Sequence, residues 1–133
     1  MVIVTSSPRV VISELKHVIA QIGKDLTEGI VNGLTNDPGA GGTPRDTNHA
    51  ANNWIASIGK PSNIVDGSRE DPSSAAQNAG LASVLSSYNG KDLLHIANNV
   101  HYVPLLNDGS SAQAPKAFVQ AVVARVLSEV AGQ

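Results

Sequence analysis

The chain has 133 residues, of which 41% are hydrophobic and only 3% are aromatic. These values predict one domain over residues 1–133, with an aliphatic core and few large anchors for a ligand pocket. The formal net charge is −2 and Lys and Arg are scattered, which argues against tight nucleic-acid binding. Because the chain has no Cys, disulfides, thiol catalysis and Cys-based zinc sites are excluded.

The first predicted element is a long amphipathic helix from about Val10 to Leu34. Ser7 and Pro8 suit its N-cap and first helical position, and Gly33 suits its end. Gly29 is expected to weaken the last turn by up to ~1 kcal/mol relative to Ala. Apolar residues recur at steps of three and four and form one stripe: Val11, Leu15, Val18, Ile19, Ile22, Leu26 and Ile30.

Three further helices are predicted along the chain. A short one begins at Asp46 or Thr47 and runs through Asn53. Another covers Ser73 to Ser87, and the last covers Lys116 to Ala131. In the helix from Ser73, the residues at helical spacing are Ala75, Ala79, Ala82 and Leu85. The last helix carries two neighbouring apolar stripes, so we expect it to be covered on more than one side; their residues are Phe118, Val122, Val126, Val130, Val119, Val123 and Leu127.

Three segments are predicted to be extended: Trp54 to Ile58, Leu93 to Asn98, and His101 to Leu106. Pro104 places the third at a sheet edge or a bend. The order of elements predicts an α+β fold, in which a small antiparallel sheet packs against the long N-terminal helix and the C-terminal helix.

No motif points to catalysis, a metal or a cofactor. The four His residues, His17, His49, His95 and His101, lack the spacing of a two-His metal site. The Gly-rich segment Gly39–Thr43 lacks the Lys-Ser/Thr ending and the preceding strand of a phosphate loop. A small hydrolase that uses His95 or His101 with Asp108 is a remote alternative.

The sequence also gives expectations about location. The chain does not open on a basic segment followed by an apolar stretch, and no apolar run approaches the ~20 residues that span a bilayer. We therefore expect a protein made in the cytoplasm, with no membrane partner.

Two stretches carry recognisable motifs. Within residues 43–61 the pattern is Pro-x-Asp-Thr, then Asn-Trp before a strand that closes on Gly-x-Pro; the matching residues are Pro44, Asp46, Thr47, Asn53, Trp54, Gly59 and Pro61. Asn48 stands where the pattern usually has Gly, and Asn tolerates the same left-handed turn.

The second motif lies within residues 96–119. It reads Asn-Asn, a short gap, Tyr-Val-x-x-Leu-Asn-x-Gly-Ser-Ser-x-Gln-Ala-Pro, then a helix with an early Phe. The matching residues are Asn98, Asn99, Tyr102, Val103, Leu106, Asn107, Gly109, Ser110, Ser111, Gln113, Ala114, Pro115 and Phe118. Together the two motifs resemble the tail-completion, or minor tail protein Z-like, family of tailed bacteriophages.

The resemblance implies a structural virion protein of the neck and not an enzyme. Such a subunit forms a closed homo-oligomeric ring, a hexamer or a dodecamer, at the head–tail junction. Its implied neighbours are the portal- or adaptor-side neck proteins and the tail terminator or the tail and sheath proteins. Genomic DNA would pass through the ring without tight binding. The alternative within the virion is a tail terminator or another minor tail subunit.

The motif residues are candidates for either a structural or an interface role. We expect Asp46 and Thr47 to cap the short helix, Trp54 to fill the sheet face, and Pro115 to lead into the last helix. The loops predicted to face partners are Asn36–Pro44, Gly59–Pro72 and Asn107–Pro115. The candidates are Asp46, Thr47, Trp54, Tyr102, Asn107, Asp108, Gly109, Ser110, Ser111, Gln113 and Pro115.

Overall fold

A computed structural model describes the backbone of residues 8–36 and 38–132, and the side chains of residues 17–36 and 38–132. The elements in chain order are α1 (Pro8–Thr35), a 3-10 turn (Pro38–Ala40), β1 (Ile55–Ile58), α2 (Ala75–Ser87), β2 (Leu94–Ala97), α3 (Val103–Asn107) and α4 (Phe118–Ala131). The two strands pair antiparallel, with Ile55 opposite Ala97 and Ile58 opposite Leu94. The predicted α+β class with a small antiparallel sheet is confirmed.

The helices cover one face of the sheet, where α2 lies beside β1 and α1 beside β2, while α4 packs along α1. Their shared core is almost entirely aliphatic, as the composition predicts, and Trp54 and Phe118 are its largest side chains. The buried residues of this core are Val31, Leu34, Ala50, Trp54, Ala56, Leu81, Val100, Val103, Ala114, Phe118, Val122 and Val126.

The contact between α1 and α4 depends on two glycines. A Cβ atom on Gly29 would lie 2.7 Å from Val126 Cγ1, and one on Gly33 would lie 2.7 Å from Val122 Cγ1. The predicted end of α1 at Gly33 is wrong, because the helix continues to Thr35. The later residue of α1, Gly33, contacts the earlier residue of α4, Val122, so the two helices run antiparallel.

This packing reverses the effect that helix propensity alone predicts for Gly29→Ala. The substitution gains up to ~1 kcal/mol of propensity, but it forces a methyl group into Val126, and overpacking of this kind costs about 1–3 kcal/mol. We expect the free energy of unfolding in urea to fall. Glu28→Ala, at the preceding exposed position, changes propensity without this contact and should shift it by less than about 0.5 kcal/mol. A Gly29→Ala variant as stable as Glu28→Ala would contradict the packing.

Two predicted local structures are wrong. Residues 46–53 form turns and not a short helix, and residues 103–107 form the helix α3 and not a strand. Pro104 occupies the first turn of α3, where its missing N–H has no consequence. In α2 the buried residues are Gln77 and Leu81, whereas Ala79 and Ala82 are exposed.

The structure tests the predicted start of α1 and the two apolar stripes of α4 only in part. Pro8 begins α1, while the proposed cap, Ser7, and the side chains of Val11 and Leu15 lie outside the described residues. On α4 the stripe of Phe118, Val122 and Val126 is buried. The neighbouring stripe is only partly covered, and Leu127 is 49% exposed.

Candidate functional site

The first motif surrounds a buried polar network, with Thr43 at its centre. The Thr43 hydroxyl donates to the Leu34 carbonyl at 2.7 Å and accepts from Trp54 Nε1 at 2.8 Å. Thr43 is 0% exposed, so water does not replace these bonds. Trp54 therefore has a structural role: it fills the core, and its indole N–H ties the start of β1 to the end of α1.

Gln77 extends the network from α2, although no pattern in the sequence marks it as buried. Its Oε1 accepts from Trp54 N at 2.7 Å, and its Nε2 donates to Thr35 Oγ1 at 2.5 Å. These bonds explain why a polar side chain is only 2% exposed on the inner face of α2. The spacing of Ala residues hid this face, because their small side chains fit equally well on the exposed side.

Arg45, which lies within the first motif, links the end of α1 to the following turn. Its guanidinium donates to the Thr35 carbonyl and, at 2.8 Å, to Asn48 Oδ1. Asn48 has a positive φ of 65°, the left-handed conformation predicted for this position. Its Nδ2 also donates to the Glu70 carbonyl at 3.0 Å. Arg45 therefore holds the turn that replaces the predicted short helix.

Two buried asparagines bind the long connection between β1 and α2. Asn53 Oδ1 accepts from Asp66 N at 2.7 Å, and Asn52 Nδ2 donates to the Asp71 carbonyl at 2.7 Å. Both residues are 0% exposed. The Gly59–Pro72 loop is thus anchored to its own chain at Asp66 and Asp71.

The side chain of Asp71 caps the first turn of α2, a role that the N-cap residue Ser74 does not fill. Ser74 has a left-handed conformation and its side chain caps no helical N–H. Asp71 Oδ2 instead accepts from Ala75 N at 2.7 Å and from Ser73 Oγ at 2.9 Å. The bond from the Ala75 N–H, followed by that from Ser73, lowers the pKa of Asp71 below its ordinary value.

Gln113 joins the two motifs directly. Its Oε1 accepts from Arg45 N at 2.7 Å, and its Nε2 donates to the Arg45 carbonyl at 2.8 Å. A side-chain amide thus pairs with the main chain of one residue as a neighbouring strand would. The two stretches that carry the family resemblance therefore form one contiguous unit.

The Asn-x-Gly-Ser-Ser part of the second motif ends α3 and begins α4. Gly109, with φ 94°, donates to the Leu106 carbonyl and Ser110 donates to the Leu105 carbonyl. These two bonds define a Schellman motif, which requires the left-handed conformation at Gly109. Asn107 Oδ1 accepts from Val119 N at 3.0 Å and so caps α4 from outside that helix. Asn107, Gly109 and Gln113 have structural roles.

A small cavity of about 110 Å³ lies where the two motifs meet. Four predicted candidates line it together with Arg45 and His49: they are Asp46, Tyr102, Ser111 and Gln113. Burial of its ring, and then the charge of Asp46, raise the pKa of Tyr102 above its ordinary value.

Five candidates lie on the surface, including Asp46, which also lines the cavity. Asp46, Thr47, Asp108, Ser110 and Pro115 are all exposed. The predicted capping roles of Asp46 and Thr47 are wrong, because no helix begins there. In the described part of the chain these two side chains and that of Asp108 form no hydrogen bond or ion pair within the protein.

The histidines do not form a site with Asp108. Within residues 17–36 and 38–132, no hydrogen bond or ion pair joins Asp108 to His95 or to His101. His101 packs edge-on against Tyr102, with ring centroids 5.2 Å apart. The described residues also contain no group of three or more His, Asp or Glu side chains able to hold a metal ion.

Comparisons with protein-family models, curated proteins and solved structures find no match to this chain. Among the described helices, none combines the length and the apolar character needed to cross a membrane. The family resemblance therefore depends on the motif residues themselves.

Proposed function

We propose that this chain is a head–tail joining subunit of a tailed bacteriophage, a neck or tail-completion protein that forms a ring and lines the passage of DNA. The observation that carries the proposal is the Gln113–Arg45 pairing, which makes the two separate motif stretches one structural unit. The two stretches are far apart in the sequence, and together they resemble one family. In the structure they are in direct contact.

The rest of the motif supports this interpretation. Its conformationally demanding positions, Asn48 and Gly109, have the positive φ angles that the pattern requires. Its exposed members Asp46, Thr47 and Asp108 surround this unit without partners of their own among the described residues. A motif that combines a rigid frame with free polar groups suits a surface that contacts neighbouring virion proteins.

The charge of the chain is compatible with a DNA passage. A net charge of −2 with dispersed Lys and Arg provides no cluster to hold phosphates. A channel that must let DNA slide benefits from weak attraction, because each phosphate contact would add a barrier to movement.

The test is a cryo-EM reconstruction of the particle that carries this chain, focused on the head–tail junction and compared with particles from phage lacking its gene. We expect a closed ring of six or twelve copies whose density fits α1, α4 and the sheet and is missing from the deletion particles. Density for the domain elsewhere in the tail would favour a different minor tail subunit. Its absence from the particle would overturn the proposal.

A further inference from the structure

Two asparagines in this chain are followed by glycine, and the structure places them in opposite settings. They are Asn32, before Gly33, and Asn89, before Gly90. Glycine has no Cβ atom, so its backbone nitrogen is open to close approach by the preceding side chain. Both asparagine side chains are exposed. Exposure therefore does not separate the two pairs, and any difference in their chemistry comes from the main chain.

The pair in α1 is held by the helix and by packing. Gly33 lies inside α1, where its N–H donates to the Gly29 carbonyl in the helical pattern. Gly33 is also buried, and a Cβ atom on it would lie 2.7 Å from Val122 Cγ1. Turning the Gly33 nitrogen towards the Asn32 side chain would break the helical hydrogen bond and disturb this contact with α4.

The second pair lies in the connection between α2 and β2, where no such restraint acts. α2 ends at Ser87 and β2 begins at Leu94. Gly90 has a left-handed φ of 83°, which glycine adopts without strain. Within the described part of the chain the Gly90 N–H donates no hydrogen bond to another backbone group. The nitrogen that follows Asn89 is therefore not held in place.

The Asn89 side chain is bound in a way that prepares its amide carbon for attack. Asn89 Oδ1 accepts from Lys91 N at 3.0 Å, which closes an Asx turn over Gly90. A hydrogen bond to this oxygen withdraws electrons from Cγ and stabilises the negative charge that Oδ1 acquires when a nucleophile adds. The Tyr88 hydroxyl donates to the Asp92 carbonyl at 2.8 Å and ties the two ends of the turn together.

We propose that Asn89 is a self-modification site, at which the Gly90 nitrogen displaces ammonia from the side chain. The Gly90 N–H loses its proton to a solvent base, and the nitrogen forms a bond to Asn89 Cγ. Collapse of the adduct breaks the Cγ–Nδ2 bond, Nδ2 takes up a proton and leaves as ammonia, and a cyclic imide remains. Water then opens the imide at either carbonyl. The product is aspartate, or isoaspartate when the main chain is left running through Cγ.

The reaction changes both the charge and the main chain of this connection. A neutral amide becomes a carboxylate, and this one further negative charge takes the formal net charge from −2 to −3. Isoaspartate also adds a methylene group to the main chain between α2 and β2. Copies of the protein therefore become different from one another with age, although they share one sequence.

Peptide mapping of the purified full chain tests Asn89 against the pair in α1. The folded protein is held in mildly alkaline buffer at physiological temperature, and samples taken over time are digested with an acid protease and analysed by mass spectrometry. We expect Asn89 to be converted at least about tenfold faster than Asn32, the factor that ~1.4 kcal/mol of local opening in α1 gives. The rate at Asn89 should rise with pH, because base removes the Gly90 proton. Equal rates at the two pairs, or an Asn89 that stays intact, would overturn the proposal.

The same chain in concentrated urea supplies the reference rate for each pair, because neither then has a fixed main chain. In urea Asn32 and Asn89 should react at similar rates. Folding should slow the reaction of Asn32 and should not slow that of Asn89, since the Lys91 N–H is placed to assist it. If folding protects Asn89 as strongly as Asn32, the turn blocks the reaction and the proposal is wrong.

Asn89→Gln is the matched variant, since it keeps the amide and the charge but must form a larger ring to react. On ion exchange the wild type should develop a more acidic species that elutes near the Asn89→Asp variant, whereas Asn89→Gln should not. Equal growth of an acidic species from Asn89→Gln would place the reaction at another residue and overturn the assignment.

Discussion

Replacing Gly42 with Ala is expected to abolish the native fold or to lower the free energy of unfolding by more than the ~3 kcal/mol typical of overpacked cores. A Cβ atom on Gly42 would lie only 1.7 Å from the Asn36 carbonyl oxygen. This neighbour is main chain at the end of α1, so it has no rotamer by which to move away. The residue that follows, Thr43, is held by Leu34 on both its N–H and its hydroxyl.

The matched control lies in the same loop. A Cβ atom on Gly39 meets nothing within 4 Å, and Gly39 is exposed without a positive φ. Gly39→Ala should change the free energy of unfolding by less than about 0.5 kcal/mol. Both variants can be compared with the wild type by guanidinium denaturation followed through Trp54 fluorescence. Equal stabilities for the two variants would show that the end of α1 and Gly42 are not in this close contact.

Thr43→Val is expected to lower the free energy of unfolding by about 2–4 kcal/mol while keeping the side-chain shape. The substitution leaves the buried Trp54 indole N–H without an acceptor, which costs about 1–3 kcal/mol, and removes one further hydrogen bond worth about 1 kcal/mol. Thr43→Ser keeps the hydroxyl and loses only a methyl group, so it serves as the control and should be less destabilised than Thr43→Val.

A double-mutant cycle with Trp54→Phe separates the hydrogen bond from packing. In the Trp54→Phe background no indole N–H remains to be satisfied, so Thr43→Val should cost only the bond to Leu34, about 1 kcal/mol. Because this background lacks the only Trp, unfolding is followed by circular dichroism. Additive effects of the two substitutions would contradict the role assigned to Thr43.

The long helix α1 and the strand β1 are predictable from the sequence. The periodic apolar stripe of α1 and the alternation around Ala56 identify a long helix and a strand, because each pattern depends only on neighbouring residues. Asn48 was likewise identified as a left-handed position. The five-residue helix α3 was missed, since it is too short to show a period and Pro104 suits both a strand edge and a first helical turn.

The polar network could not be predicted from one sequence. Gln77 is buried only because Trp54 and Thr35, which are far from it in the chain, need its amide. The pairing of Gln113 with Arg45 spans 68 positions. No short-range pattern specifies such partners, so motif residues that resemble a family could be located in the sequence but not assigned to structural or surface roles.

The packing of the first described helix against the last has a consequence for how the chain folds during synthesis. Gly29 and Gly33 can receive Val126 and Val122 only after residues 122–126 have left the ribosome, about 90 residues later. Contacts between such distant segments slow folding, because a long loop must close before any stabilisation is gained. Until then the apolar face of α1 stays open to other nascent chains. Refolding from denaturant should therefore yield more aggregate as protein concentration rises, and chaperone binding should fall sharply once α4 is available.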